Sequence, residues 1–393
     1  MKLACVIHRY GREVTGGSEA HCRAIAHRLA ARHDVTVLTS RAIDYITWAD
    51  HYPAGESADG AVRVHRFGVR RRRPLGPFRE LSDRLADGVA TPEEQERWFT
   101  LNGPEVPGLL AWLDTHAPRF DGVLFWSFRY YPAWFGLPRC PGRSILVPTA
   151  EEDDLIRHAT ILGPYFAQPR GFLFLTPEEQ ALVAARCDGP LPPSEVIGSG
   201  LDPAPAPPPP DRLRALGLPE EYLLYVGRVD RNKGCDELFA WYAEYAAAER
   251  APLPLVLAGP IVLPVPAHPS IRALGRVDDA LRDTLLAHAR ALVMPSPYES
   301  LSLVVLEAWN RGTPVIVNGR CRPLRGQVLR ANGGVYYERA AEFAEAIRLL
   351  ASHRELARTF GRQGLAYVER EYRWPVVMGK VEGVLERTLC AAR

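Results

Sequence analysis

The stretch Met294–Asn318 reads MPSPYESLSLVVLEAWNRGTPVIVN, and its pattern decides the fold class. An apolar strand ending, Ala291-Leu292-Val293-Met294, runs into a Pro-Ser-Pro turn. Glu299 opens a helical run, Ser302 to Arg311, that stops at Gly312. Glycine just past the last turn, with proline after it, ends a helix: glycine takes the left-handed conformation and proline lacks the N–H needed to go on. Thr313-Pro314 then leads into a second buried strand, Val315-Ile316-Val317. Strand, helix and strand in this order point to an α/β layer built on a parallel sheet.

Two carboxylates frame this unit, Glu299 and Glu307, with seven residues between them. Eight helical steps span about 12 Å, too far for a shared proton or a shared metal ion. The spacing suits one elongated ligand along the helix start. Free backbone N–H groups and the positive end of the helix dipole attract an anion there. A nucleotide sugar, with its sugar, diphosphate and ribose, has that form. The plainer reading is an N-terminal-turn acid and a solvated helix residue. Against it, Glu307 stands among Val304, Val305, Leu306, Ala308 and Trp309, and a charge is seldom buried without a partner.

A second stretch supplies cations. Tyr222-Leu-Leu-Tyr-Val-Gly227 reads as a short buried strand, followed by Arg228-Val-Asp-Arg-Asn-Lys233-Gly234. Arg228 and Lys233 flank a turn at a strand's carboxyl end, where open α/β sheets bind ligands. A planar guanidinium fork and a point-charge ammonium together suit a diphosphate. Lysine is scarce, with only Lys2, Lys233 and Lys380 in the chain.

At this point the chain resembles a known family. Gly227-Arg228…Lys233-Gly234, followed by Pro295-Ser-Pro-Tyr-Glu299-Ser-Leu-Ser-Leu-Val-Val-Leu-Glu307-Ala, is similar to the C-terminal half of the retaining, GT-B-fold nucleotide-sugar glycosyltransferases of family 4. The resemblance implies two Rossmann-like domains facing each other across a cleft, with a C-terminal helix crossing back to the first domain. It implies that Arg228 and Lys233 hold the donor diphosphate and that Glu299 contacts the donor sugar. Backbone N–H groups at Ser300, Leu301, Ser302 and Leu303 meet sugar and phosphate, and Glu307 binds the ribose hydroxyls. One departure is visible. Where the family has Phe-Gly after the first glutamate and a small residue, this chain has Leu301-Ser302, and the Cβ of Ser302 leaves less room for the sugar.

Composition agrees with a globular two-domain chain. It has 393 residues, of which 47% are hydrophobic and 24% charged, enough apolar mass for two ordinary cores. A net charge of +2 gives no basis for nucleic-acid binding. Seven cysteines are scattered without a Cys-x-x-Cys pair. An odd count of this kind points to reduced thiols in the cytoplasm, not to disulfides or zinc. Leu3–Ile7 is too short for a signal peptide, and the uncharged run 251–267 is broken by five prolines, so no membrane span is expected.

The N-terminal half starts with a strand at Leu3–Ile7, a loop carrying Gly16-Gly17-Ser18-Glu19, a helical run from Ala20 to Arg32 and a strand at Val35–Thr39. Gly-x-Gly-x-x-Gly is missing, which argues against a dinucleotide oxidoreductase. Gly16 and Gly17 at a helix start still let backbone N–H groups approach an anion, and the resemblance places this loop near the donor phosphates. Arg70–Arg73 forms a basic run that suits an anionic lipid surface, although a solvated loop is the preferred reading. Ser127-Phe-Arg129-Tyr130, with Tyr45 and Trp48, groups rings and an arginine that suit an acceptor, although interior packing is the first reading. Ser144–Val147 ends in Pro148-Thr-Ala-Glu151-Glu-Asp-Asp154. The resembling family has a His-Asp-Glu type sequence here. Glu151 in the histidine's place puts a carboxylate where it can stabilise an oxocarbenium-like centre or orient the acceptor hydroxyl.

Pro203-Ala-Pro-Ala-Pro-Pro-Pro-Pro210 reads as a semi-rigid linker. It separates an acceptor-binding domain, 1–202, from a nucleotide-sugar-binding domain, 211–372. Tyr372-Arg-Trp374 and a final helical run, 376–393, correspond to the helix expected to pack on the first domain, with Trp374 in a packing role. Gly319–Val335, with Arg322, Arg325 and Gln327, reads as a polar loop near phosphate or sugar.

The expected activity is therefore hexosyl transfer from a nucleotide-diphosphate co-substrate, with no separate cofactor and no metal. The acceptor is a glycan, a lipid-linked sugar or a small molecule, in polysaccharide or glycoconjugate biosynthesis. The expected location is cytoplasmic, with peripheral membrane association as a variant. A GT-B-fold sugar-nucleotide epimerase and a non-catalytic nucleotide-sugar-binding partner protein are the competing readings.

Overall fold

The structure is a computed structural model and describes residues 1–390. Its chain separates into two compact units. The first is Met1–Gly198 with the chain from Val377 onward, and the second is Ser199–Val376.

The first unit is built on eight strands: β1 (Lys2–Val6), β2 (Asp34–Ser40), β3 (Gly55–Asp59), β4 (Val62–Phe67), β5 (Gly122–Trp126), β6 (Ser144–Val147), β7 (Gly171–Phe174) and β8 (Ser194–Val196). Their order is β3-β4-β2-β1-β5-β6-β7-β8, parallel throughout except for the β3–β4 hairpin. The central strands are covered on both faces, so they read as continuous apolar runs such as Leu3-Ala-Cys-Val6. Thr91 caps helix Pro92–Asn102 with a full capping box to Glu94.

The second unit has β9 (Leu223–Val226), β10 (Leu255–Ala258), β11 (Ile271–Ala273), β12 (Ala291–Met294), β13 (Val315–Asn318) and β14 (Gly334–Tyr337). All pair in parallel, in the order β11-β10-β9-β12-β13-β14. Counted from its own first strand, that order is 3-2-1-4-5-6, the doubly wound arrangement whose ligand crevice opens where the winding reverses. Here the reversal lies between β9 and β12. In the first unit it lies between β1 and β5.

Several boundaries differ from the sequence reading. The division falls at Gly198, upstream of the Pro-rich segment. That segment is held by the second unit: its carbonyls accept from Arg311 at Pro205 (2.6 Å) and from His288 at Pro208 (2.7 Å). The expected polar loop after β13 is mostly helix, Arg322–Ala331. The last helix starts at Trp374, whose ring fills the space where Gly200 would carry a Cβ. Its Glu382 meets His33 at 3.0 Å, and Val377, Val381, Val384 and Leu385 are buried. Residues 391–393 of that expected helix lie outside the described residues.

Cys5, Cys22, Cys140, Cys235 and Cys321 are buried free thiols, and Cys187 is a half-buried one. Among the described residues, no helix is long and apolar enough to cross a membrane.

Candidate active site

In the second unit the predicted residues collect at the reversal point. The chain leaves β9 through Gly227, and Arg228 bonds through Nε to Asp230. Asp230 also accepts from the Lys233 backbone N–H at 2.9 Å, which closes a tight turn, Arg231–Lys233. Gly234 follows at φ 72°, and an added Cβ would lie 2.5 Å from the Pro295 carbonyl oxygen. Only glycine lets the turn after β9 touch the loop after β12 this closely. The contact delivers Lys233 to Glu299, with Nζ 2.6 Å from Oε1.

The loop Pro295–Ser302 is held from three sides. Asn318 donates to Pro295 O at 3.0 Å, Ser296 Oγ donates to Tyr298 O at 2.9 Å, and buried Gln327 donates to Leu301 O. Glu299 is therefore a loop residue. The helix comprises Leu303–Asn310, so the expected eight helical steps from Glu299 to Glu307 do not apply. Ser302 is the residue before the helix, buried, with φ 72° and ψ 91° and no capping bond from its side chain. A serine thus occupies the backbone conformation that glycine takes without cost.

Glu307 lies in the helix Leu303–Asn310, one turn past its start, and is half-buried. Burial raises its carboxyl above the usual range, while Arg282, 3.5 Å away, pulls it back. Arg282 is the partner that the buried acid needed, and no local pattern announced it, because it sits on a separate helix, Asp279–His288.

In the first unit the candidates line the carboxyl edge of the sheet. Glu19, in the first turn of helix Gly17–Leu29, is buried against two cationic or polarisable groups: His8 Nε2 at 2.9 Å and Arg9 Nε at 2.9 Å. Burial works against its charge, but His8 and Arg9 outweigh it and hold the carboxyl down at about 2. Gly16 is required beside it, since a Cβ would fall 2.2 Å from Glu19 Oε2. The carboxylate of Glu19 thus stands beside the helix start at Gly16 and is turned to His8 and Arg9. His8 and Arg9 stood in the sequence directly after β1, a position that singles them out once the strand is recognised.

Trp48, Tyr130 and His8 form one cluster. His8 stacks on Tyr130 at 3.7 Å, and Trp48 sits edge-on to both. Trp48 is 1% exposed and donates to Asn102 O at 2.6 Å. It is packed into the interior, the first of the two readings from sequence, and is not an open stacking surface. Arg73 stacks on Trp48 and bonds Asn102, while Arg70 and Arg71 pair with Glu105. Three of the four arginines of the run, read first as a solvated loop, are thus engaged within this unit. Tyr45 is half-buried and lies under Arg9.

Arg129 pairs with Asp153 at 2.8 Å and lies 3.7 Å from Glu151. Burial opposes its charge, and these two acids more than restore it. The acidic run is not four free charges: Asp153 also caps the short helix Asp154–His158. Beneath it, buried Glu179 accepts from Ala150 N at 2.7 Å and Leu175 N at 2.6 Å. Burial and Glu151 push its carboxyl up to about 8 against these backbone donors.

Among the described residues, five that are not glycine have positive φ: Trp48, Ser127, Thr149, Ser302 and Asn332. Asn332 ends a helix, an ordinary place for it. The other four stand in the loops just described, and Ser127 and Thr149 are tied hydroxyl to hydroxyl at 2.7 Å. Backbone strain held in place by surrounding bonds is a mark of a working site.

Residues 214–366 match the family model described as Glycosyl transferases group 1. The match lies within the second unit, and Arg228, Lys233, Glu299 and Glu307 all fall inside it. A comparison with curated proteins finds no match. Among solved structures, the chain is similar to sucrose-phosphate synthase from Thermosynechococcus elongatus, with 20% identity and TM-score 0.72 over 100% of both chains. It is similar to an E. coli trehalose-6-phosphate structure bound with UDP-2-fluoro glucose, at 11% identity and TM-score 0.72, over 98% of this chain and 99% of that one. It is also similar to Anabaena HepE in complex with UDP and glucose, at 15% identity and TM-score 0.69, over 98% and 100%. These likenesses establish the two-unit GT-B fold.

Proposed function

We propose that the protein transfers a hexose from a nucleotide-diphosphate sugar to an acceptor hydroxyl, with retention at the anomeric carbon, in the manner of the family 4 enzymes its motifs resemble. The observation that carries this reading is the Lys233–Glu299 pair at the reversal point of a domain that matches glycosyl transferases group 1. The bound ligands named for two of the similar structures, UDP-2-fluoro glucose and UDP with glucose, support a uridine diphosphate hexose as donor.

In this reading Arg228 and Lys233 take the diphosphate, and Glu299 turns from Lys233 to the sugar hydroxyls. The backbone N–H groups of Ser300–Leu303 meet sugar and phosphate, and Glu307 accepts from the ribose hydroxyls. The bond from the anomeric carbon to the phosphate oxygen breaks, and the acceptor oxygen bonds that carbon on the same face. The acceptor proton passes to the leaving phosphate, so no His–carboxylate pair is needed. Charge builds on the leaving group, and Arg228 and Lys233 are fixed where it develops. In the first unit, Gly16 and Gly17 are assigned to phosphate, and Tyr45, Arg129, Tyr130 and Glu151 to the acceptor and the reacting centre.

The test is UDP release from UDP-glucose with a panel of acceptor sugars and lipid-linked sugars, with the product's anomeric proton coupling read by NMR. Release that depends on acceptor, with retained configuration, supports the reading. A changed free sugar nucleotide without acceptor would instead establish the epimerase.

A further inference from the structure

The first unit holds a cavity of about 300 Å³ that the transfer reaction does not use. It lies at the amino ends of the strands. Lys2 is the first residue of β1, whereas His8 follows that strand's other end. Six residues at about 3.3 Å each put the two some 20 Å apart, so this is a different place from the candidate active site.

One wall of this cavity is made of rings, and Thr36, Ser57 and the carboxylate of Glu56 also line it. Trp112 stacks on His116 at 4.4 Å with the rings 6° from parallel, and meets His65 edge-on at 5.7 Å. Phe120 closes the side of Trp112 at 5.9 Å. His65 is stacked on Phe67, and its Nδ1 is buried without a hydrogen-bond partner, the nearest acid being exposed Glu56 at 3.8 Å. Burial holds the His65 imidazole below its ordinary pKa, with Glu56 opposing and His116 adding to the shift. The ring is thus a neutral, partly polar wall. At the rim stand Lys2 and Arg119, exposed, and neither pairs with a carboxylate among the described residues. Arg63, by contrast, is engaged with Asp34 at 2.6 Å.

We infer that this cavity is a second ligand site, for a small planar ring carrying a phosphate. The volume is at the small end of ligand pockets, which run from about 300 to 1,000 Å³, and so admits one ring system and its charged group. Trp112 and Phe120 supply the stacking surface. Two neighbouring cations without acid partners match a dianion better than a neutral ligand or a monoanion.

Isothermal titration of the full chain with phenyl phosphate tests the inference, with inorganic phosphate, benzoate and benzyl alcohol as comparison probes. Phenyl phosphate is expected to bind at least about tenfold more tightly than any of the three, because only it satisfies both the rings and the cations. The double variant Lys2→Ala/Arg119→Ala removes exposed side chains and should fold normally by circular dichroism, yet lose that binding by about tenfold or more. The variant Arg228→Ala/Lys233→Ala should bind phenyl phosphate as the wild type does. No saturable binding to the wild type, or unchanged binding by Lys2→Ala/Arg119→Ala, would overturn the site. So would loss of binding in Arg228→Ala/Lys233→Ala, which would assign the ligand to the transferase domain.

Discussion

Lys233 Nζ lies 2.6 Å from Glu299 Oε1, although the two residues stand 66 positions apart. Gly234 makes the meeting possible by letting the turn after β9 rest on the Pro295 carbonyl. Under the proposed function Lys233 is assigned to the diphosphate and Glu299 to the donor sugar. A donor that brings its own anion and hydroxyls would, in that reading, replace both halves of the pair at once.

Lys233→Ala should therefore lower turnover by about 10²–10³-fold, the usual effect of losing one fixed stabiliser of developing charge. Stability should change by only about 1 kcal/mol or less, since the pair is partly solvated. UDP release and a denaturant midpoint measure the two effects, and an equal loss in both would make Lys233 a structural residue.

Donor affinity should depend on pH through Glu307. Burial raises its pKa, and the proposed contact needs the ionised carboxylate. Affinity for UDP should then weaken as pH falls through that raised value. Arg282→Ala removes the group that opposes the rise, so the weakening should begin at a higher pH than in the wild type. Titrations of UDP across pH with both proteins would show the two curves displaced, and coincident curves would separate Arg282 from the site.

Ser302→Gly should stabilise the protein by about 1.3 kcal/mol, within a range of about 0–2.6 kcal/mol. Relief of a non-glycine residue from positive φ is worth about 1–3 kcal/mol, and the added freedom of the unfolded chain takes back about 0.4–1 kcal/mol. Ser302→Ala keeps the Cβ and should show no such gain. Chemical denaturation of both variants decides this.

Glu179 should leave a trace in the pH dependence of stability. Its carboxyl is raised to about 8 in the folded chain, above its unfolded value. The folded state then binds its proton more tightly than the unfolded state. That contribution is complete below the ordinary carboxylate range and is lost as pH rises through about 8. Glu179→Gln cannot ionise, so its stability should decline less steeply than the wild type's over this window. Parallel slopes would place Glu179's titration elsewhere.

The second unit was the more legible half. Its strands are short apolar runs closed by Gly and Pro, and Arg228, Lys233 and Glu299 stand in turns after strand ends, where a doubly wound sheet collects side chains, with Glu307 on the helix that follows. What the sequence hid were long-range partners: Arg282 beside Glu307, Gln327 on Leu301, and Glu179 under Ala150. None has a local spacing that joins it to its partner. Helix starts were also misplaced. Glu299 belongs to a loop, because bonds from Asn318, Ser296 and Gln327 hold that backbone out of helical form. In the first unit, aromatic composition did not distinguish Trp48, which is buried, from Tyr45, which is not.

Thermal unfolding with UDP-glucose, on the wild type and on Glu307→Ala, tests the central claim most directly. At about 100 times its dissociation constant a ligand adds ~2.7 kcal/mol of stability. The account predicts a clear upward shift for the wild type and none for Glu307→Ala. An absent wild-type shift, or an equal shift in the variant, would contradict a donor site built on Lys233, Glu299 and Glu307.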